Sequence, residues 1–401
     1  MGRPGRQADT LFAVLPGTDV IVIGGGIIGA ACADALAASG AAVVLLEREV
    51  LAAGASGRNQ GLFVTPSDPD LLPMAESSLE VYLRVAEESP LQVGFDRDPI
   101  GFLRIAEGPG ELAGLEEQAG AAERHAGIEV DRLDANALLD LEPSLAPDLA
   151  GGCLFHTGRR LDPTSLTVSL ALRAQEKGAQ IRERALVRAL VRERDAIRGV
   201  MTDEGPIRSD TVVLAAGPWS GELLRPLGIR IPVTGARGWL VLVDPGRPLL
   251  SRPTEWAGDG WREPPESITA GELADGPPAA GIGTLIHPAD DGTLSLGSSC
   301  ELAIADEPDD PAVPRAILRL AIRFVPALAD APVLSSWWGV RPMSPDERPL
   351  VGPLREGLVI ATGHGAEGVL LGAGTAALVR SMVTGEEPPF DPAPFDPERF
   401  G

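Results

Sequence analysis

Val20-Ile21-Val22-Ile23 is an unbroken apolar run of strand length, the pattern of a strand buried on both faces. Apolar and small residues then fill Ile27 to Ser39, a span that predicts a helix with Gly40 as its left-handed cap. A second apolar run, Ala42 to Leu46, predicts the next strand and stops at a carboxylate, Glu47. MAESSLEVYLRVAEE (74–88) has the pattern of an amphipathic helix, with Tyr82 half-buried on it. Between 96 and 150, short strands such as IGFLRIA mix with a helix near 109–126. Residues 160–224 read as helix, strand, hairpin and strand, the last being Thr211-Val212-Val213-Leu214. GTLIHPADDGTLSLGSS predicts a hairpin turning at Asp290-Asp291-Gly292, and AVPRAILRLAIRFVPAL predicts a helix after it. The final pattern, LVIATGHGAEGVLLGAGTAALVRSMVTG, is strand, glycine loop and helix. Residues 51–63 are rich in Gly, Ser and Asn and cannot be an ordinary helix interior. Residues 244–283 are rich in Pro, Gly and acid and read as a long irregular excursion, either a surface loop or a docking surface.

The junction between the first strand and helix carries chemistry. Gly24, Gly26 and Gly29 form GxGxxG, and Glu47 follows Gly29 by 18 residues. In this arrangement the first glycine permits a tight turn, the second lets a pyrophosphate approach the backbone, and the third lets the helix pack close to the strand. The free N–H groups at the helix start favour a phosphate, and a carboxylate about 20 residues on binds a ribose hydroxyl. Glu47 also argues against a 2′-phosphorylated cofactor. The strand ending in Ala215-Ala216-Gly217 places small residues where a backbone must come close to something.

Charge and composition narrow the class. The net charge of −23 argues against nucleic acid as a partner, and no polybasic membrane patch is visible. The apolar stretches are strand-length or broken by Gly, so no membrane span is expected. Residues 1–16 have too short an apolar core for a secretory signal and are expected to be a flexible leader. Cys32, Cys153 and Cys300 are isolated, which fits a reducing cytoplasm, and the four histidines make no metal-binding pattern. Lys177 is the only lysine, and its setting reads as a helix C-terminus, so a Schiff-base mechanism has no candidate and an anionic substrate must be held by Arg.

GGGIIG with Glu47, GASGRNQG, VVLAAGPWS, GVRPMSPDERPLVG and ATGHGAEGV together resemble the D-amino-acid oxidase/glycine oxidase superfamily of FAD enzymes, over nearly the whole chain. This group includes D-amino-acid dehydrogenases, sarcosine oxidases, and opine oxidase and hydrogen cyanide synthase subunits. The resemblance implies an α/β fold, α+β overall. A Rossmann-type FAD-binding domain (17–95, 160–233 and 337–401) would interleave with a substrate domain (96–159 and 234–336) on a mixed, largely antiparallel sheet. FAD pyrophosphate would lie at Gly24, Gly26, Ile27, Ile28 and Gly29, with the ribose on Glu47 beside Arg48. Ser56, Gly57, Arg58, Asn59, Gln60 and Gly61 would line the flavin. Val187 would contact the adenine, with Ala216, Gly217 and Trp219 nearby. Gly363, His364, Gly365, Gly368 and Val369 would open a helix toward the reduced flavin. GHGAEG has no cysteine, so the FAD is expected to be non-covalent.

The same resemblance makes Arg341, in GVRP, the residue for a substrate carboxylate, and a planar guanidinium suits bidentate recognition. The alternative for Arg341 is a structural pair with Asp346 or Glu347. His364 is a second catalytic candidate, or shapes its loop by a hydrogen bond. Arg237, Trp239, Trp338 and His287 are weaker substrate-lining candidates. The family's substrate-orienting tyrosines are missing, since Tyr82 is the only tyrosine, which puts a simple D-amino acid in doubt. The implied reaction is oxidation of the C–N bond of an amino acid, N-alkyl glycine, imino acid or opine, with hydride transfer to flavin N5 giving an imine. Two other readings stay open: a 2-hydroxy acid oxidoreductase, and a flavoprotein subunit that works in a heteromeric complex. A homo-oligomer is likewise open. No lysine is placed to stabilise superoxide, and only a protonated His364 or Arg58 could substitute, so the reduced flavin is expected to react slowly with oxygen.

Overall fold

The computed structural model describes residues 18–66, 68–258, 281–301 and 311–400. The expected leader and most of the 244–283 excursion lie outside them. In chain order, β1 (Val20–Ile23), α1 (Ile27–Ala38) and β2 (Val43–Leu46) form the first βαβ unit. The short β3 (Leu62–Phe63) and α2 (Leu72–Glu88) follow. Next come β4 (Phe102–Ala106), α3 (Pro109–Ala126), β5 (Val130–Asp134), α4 (Ala135–Leu141), β6 (Gly151–Phe155) and β7 (Arg159–Arg160). The chain then returns through α5 (Pro163–Glu176) and β8 (Gln180–Arg182) to a meander of β9 (Val187–Glu193), β10 (Ala196–Thr202) and β11 (Gly205–Arg208). β12 (Thr211–Leu214) leads to the short α6 (Ser220–Leu224), and then to β13 (Thr234–Val243), β14 (Thr254–Trp256), β15 (Gly281–Pro288) and β16 (Leu294–Cys300). Last are α7 (Ala312–Phe324), β17 (Val333–Met343), β18 (Leu350–Arg355), β19 (Leu358–Thr362) and α8 (Gly368–Thr384).

Two large sheets organise these elements. The first has the order β18-β19-β12-β1-β2-β8, with β1, β2, β8, β12 and β19 parallel. Its centre is built from the continuous apolar runs, and every residue of β1, β2 and β19 is buried. α1 and α8 pack on one face of it with α2 and α5, burying Val22, Leu36, Leu45, Leu166, Leu371 and Val379 in one core. Glycines make that packing close. A Cβ at Gly29 would lie 1.9 Å from the Gly24 carbonyl oxygen, so α1 reaches β1 only because that position carries no side chain. Tyr82 is fully buried rather than half-buried, because α2 is covered by α8: Tyr82 OH accepts from Ala373 N at 3.3 Å and Ser78 Oγ accepts from Gly374 N at 2.8 Å.

The second sheet has the order β17-β13-β16-β15-β14-β4-β6-β5 and is antiparallel except for the β14–β4 pair. This is the mixed, largely antiparallel sheet expected of a substrate domain. α7 packs on its far face, where Trp239, Val241, Ile286, Ile317 and Phe324 form a separate core. One expected boundary differs: Trp337–Met343 belongs to β17 in this second sheet, not to the sheet around β1. The reason is pairing. β17 runs antiparallel to β13 over its whole length, with Gly238 opposite Gly339 and Ala236 opposite Arg341, and only β18 returns the chain to the first sheet.

Candidate functional site

A cavity of about 1110 Å³ runs from the GxGxxG turn to the exposed face of the second sheet. At one end it is lined by Gly24, Gly26, Ile27 and Ile28, with Glu47 and Arg48 beyond them. Gly24 has φ +108°, and a Cβ there would stand 2.4 Å from the Ala215 carbonyl oxygen, so both turn and close approach demand glycine. A Cβ at Gly26 would meet Ser56 Oγ at 2.9 Å and fill the cradle in front of α1. Ser56 Oγ accepts from Ile27 N at 2.9 Å. Glu47 turns inward, accepting from Gly25 N at 2.6 Å and from Glu49 N at 2.8 Å. Val187, Ala216, Gly217 and Trp219 close the same end, and the Arg48 guanidinium lies 3.7 Å from the Trp219 ring centroid.

The 55–61 segment ties the two sheets together. Arg58 donates to Ala53 O at 2.8 Å and to Trp338 O at 3.2 Å, while Trp337 Nε1 donates to Arg58 O at 3.2 Å. Gln60 Nε2 donates to Leu285 O and Ser295 O, both at 3.0 Å. Ser56, Arg58, Asn59, Gln60 and Gly61 all line the cavity. Opposite them, His364, Gly365, Gly368 and Val369 line it from the start of α8. Gly29, Gly57 and Gly363 stand behind the lining and serve packing: a Cβ at Gly57 would lie 2.5 Å from Ala52 O, and one at Gly363 would lie 2.9 Å from a Leu350 methyl.

At the sheet end, Arg341 lines the cavity from β17 and donates from Nη1 to Ser299 O at 3.0 Å. Burial lowers its pKa from the ordinary arginine value. The guanidinium lies against Gly238, where a Cβ would be only 2.1 Å from Nη1. Asp346, one of its two expected structural partners, pairs with Arg399 instead, at 2.8 Å. His364 has a place on the cavity wall and a hydrogen bond to α8, shared between its Nε2 and Thr375 Oγ1 at 2.9 Å. Burial pushes its pKa down to about 3, so it is neutral and cannot supply the positive charge that fast oxygen chemistry would draw on.

None of the four weaker candidates lines the cavity. Arg237 is buried in an ion pair with Glu301 at 2.6 Å, and Trp239 sits in the core under α7. Trp338 is the cross-strand partner of Trp239 and packs against that core too. Strand period explains all three. Gly238 and Leu240 of β13, and Gly339 and Arg341 of β17, point into the cavity, so their neighbours point out. His287 is buried near Arg160 and Asp96, with its pKa held down to about 4 by burial, and it does not line the cavity.

The register also brings in residues that no motif flagged. Arg104 of β4 pairs with Glu255 of β14, and Glu255 with Leu285 of β15. These three share the cavity face, with Phe102 and Phe155 one step along. Arg104 Nε lies 2.9 Å from a Glu255 oxygen. Glu367, at the N-cap of α8, lines the cavity from the other side. A charged residue at the inward position of Thr254-Glu255-Trp256, and a carboxylate inside a glycine loop, are the only sequence signals that point to them.

A sequence profile described as FAD dependent oxidoreductase (DAO) matches residues 19–382. The chain belongs to that family. A glycine oxidase of Pseudomonas aeruginosa is 29% identical over 394 residues, covering 94% of this chain and 98% of that protein. A D-amino acid dehydrogenase of Paramagnetospirillum magneticum is 30% identical, covering 78% of this chain and 71% of that one. The crystal structure of a glycine oxidase from Geobacillus kaustophilus superposes with a TM-score of 0.82 at 27% identity, over 95% of this chain and 98% of that one. This chain is therefore an FAD-dependent oxidoreductase. The glycine cradle at Gly24–Gly26, the inward Glu47 and the phosphate-ready start of α1 fit the cofactor's pyrophosphate and ribose. Among the described residues no helix is long and apolar enough to cross a membrane.

Proposed function

We propose that this enzyme oxidises the C–N bond of an amino acid or secondary amine that carries a carboxylate, giving an imine. The observation that carries the reading is Arg341, a partly buried cation on the wall of the large cavity, next to the loop that opens α8. Bound FAD supplies the hydride acceptor. Gly24, Gly26 and the start of α1 would hold its pyrophosphate, Glu47 its ribose, and the 56–61 and 363–369 segments its ring. Arg341 then orients the substrate carboxylate by paired hydrogen bonds and so fixes the α-C–H toward the ring. Phe102, Phe155 and Leu285 wall the far side and exclude water. Neutral His364 holds its loop through Thr375 and presents no competing charge.

The absence of cysteine from the described cavity lining supports non-covalent FAD, and three free cysteines fit a reducing, cytoplasmic setting. Lys177 is committed to Asp34 at 2.5 Å, which supports slow reaction with oxygen and a preference for another acceptor. The decisive experiment is anaerobic mixing of the holoenzyme with a panel of amino acids, N-alkyl glycines, imino acids, opines and 2-hydroxy acids, following the flavin absorbance. Bleaching by one of the amine carboxylates is expected. Bleaching by hydroxy acids alone overturns the reading.

A further inference from the structure

Beyond the residues assigned to the cofactor, the cavity wall carries a cation, Arg341, and two carboxylates, and the reading above uses only the cation. The carboxylates are Glu255 on the sheet and Glu367 at the start of α8. Glu255 is balanced by its cross-strand neighbour Arg104, which reaches its carboxylate at 2.9 Å. Glu367 has no cation of its own among the described residues. The charges around it are Glu255 from β14 and Glu347 from the turn after β17, both acidic, with Arg104 already paired to Glu255. His364 lies on its own loop, neutral, 2% exposed and lining the same cavity, and the ring's Nδ1 has no hydrogen-bond partner among the described residues. A carboxylate with no cation, a ring nitrogen with no partner and an arginine, all on the wall of one cavity, make half of a site whose other half is a ligand.

We propose that Glu367 is the substrate-amine site of this enzyme: it binds the ammonium group of a ligand whose carboxylate lies on Arg341, and takes its proton. This rests on the reading that the substrate is an amine carboxylate. The step balances simply. One N–H proton passes from the ammonium to a Glu367 oxygen. The nitrogen lone pair so released forms the C=N bond as the hydride leaves the α-carbon for the cofactor. The neutral carboxyl returns the proton to water after the imine departs. Desolvation and the two neighbouring carboxylates raise the Glu367 pKa to about 7, where a proton acceptor works near neutral pH. Glu255 keeps that basicity high and is a positioning residue.

The test uses the holoenzyme and the amine carboxylate that reduces its flavin fastest, set against the isosteric ligand with oxygen in place of nitrogen (for N-methylglycine, methoxyacetate). Affinity is read from the flavin absorbance, and the anaerobic reduction rate is followed from pH 5 to 9. Glu367→Gln is expected to weaken the amine ligand by about tenfold or more, the loss of one hydrogen bond to a charged group, and the ether ligand by less than about twofold. The rate midpoint near pH 7 should vanish in Glu367→Gln, persist in Glu367→Asp and move to lower pH in Glu255→Gln. Equal losses for both ligands, an unmoved midpoint in Glu367→Gln, or release of FAD by that variant overturns the proposal while leaving the amine-oxidation reading in place. Failure of every amine carboxylate to reduce the wild-type flavin overturns both.

Discussion

Gly238 separates a role in binding from a role in folding. It lies in the middle of β13 with extended backbone, so alanine there is free of backbone strain. The added Cβ would stand 2.1 Å from Arg341 Nη1 and 2.7 Å from Cζ. Non-bonded contacts of this kind settle near about 3.5 Å, so the guanidinium must retreat by roughly 1.4 Å. It is the far end of a flexible side chain, so the retreat is cheap for the fold. It is costly for the site, because the hydrogen bond to Ser299 O is broken and the planar fork leaves the carboxylate position. A misplacement of about 1 Å costs up to ~100-fold, which is about 2.7 kcal/mol of transition-state binding. Gly238→Ala should therefore keep its FAD and its melting temperature within about 2 °C, while kcat/KM falls by roughly two orders of magnitude. Flavin content, thermal melting and anaerobic reduction kinetics measure the three quantities on one preparation. Unchanged kcat/KM would show that Arg341 does not hold the substrate, and loss of FAD or of the fold would show that Gly238 serves packing instead.

Arg341→Met should weaken carboxylate ligands by about 2–5 kcal/mol with normal flavin content, checked by titration against flavin absorbance. Acid precipitation should release all the flavin as FAD, and Gly26→Val should purify without it, because the side chain would enter the cradle beside Ser56. Reduced enzyme mixed with air in a stopped-flow instrument should reoxidise more slowly than substrate turns over, and faster with a quinone; reoxidation by air that keeps pace would refute the argument from the missing lysine. His364 and His287 stay neutral in the fold, with pKa values of about 3 and 4, while the unfolded chain takes up protons below about 6.5. Their contribution is thus complete above pH about 6.5 and is lost as pH falls toward 4 and 3. The melting temperature should drop across that window, and His287→Gln should flatten the drop.

Local order carried much of this protein in its sequence. The strand–glycine–helix–strand–Glu47 succession depends on chain neighbours and on backbone freedom at Gly24, so the glycine turn, the start of α1 and the place of Glu47 were legible. The same holds for α1, α3, the β9–β10–β11 meander and the turn at Asp290–Gly292, which follow from period and turn chemistry. Arg341 was legible only through its motif. What brings it to the cavity wall is that β17 pairs with β13, with Arg341 opposite Ala236, rather than joining the first sheet. Tertiary packing alone decided which face each strand shows. A strand's two faces differ by one residue of register, and no local signal says which is core. Arg237, Trp239 and Trp338 therefore turned out to face away and His287 to lie beyond the lining, while Arg104 and Glu255 turned in. Protonation was decided the same way. His364 is neutral and Glu367 is basic because helices and strands distant in the chain remove water from both, and desolvation is a property of the assembled interior.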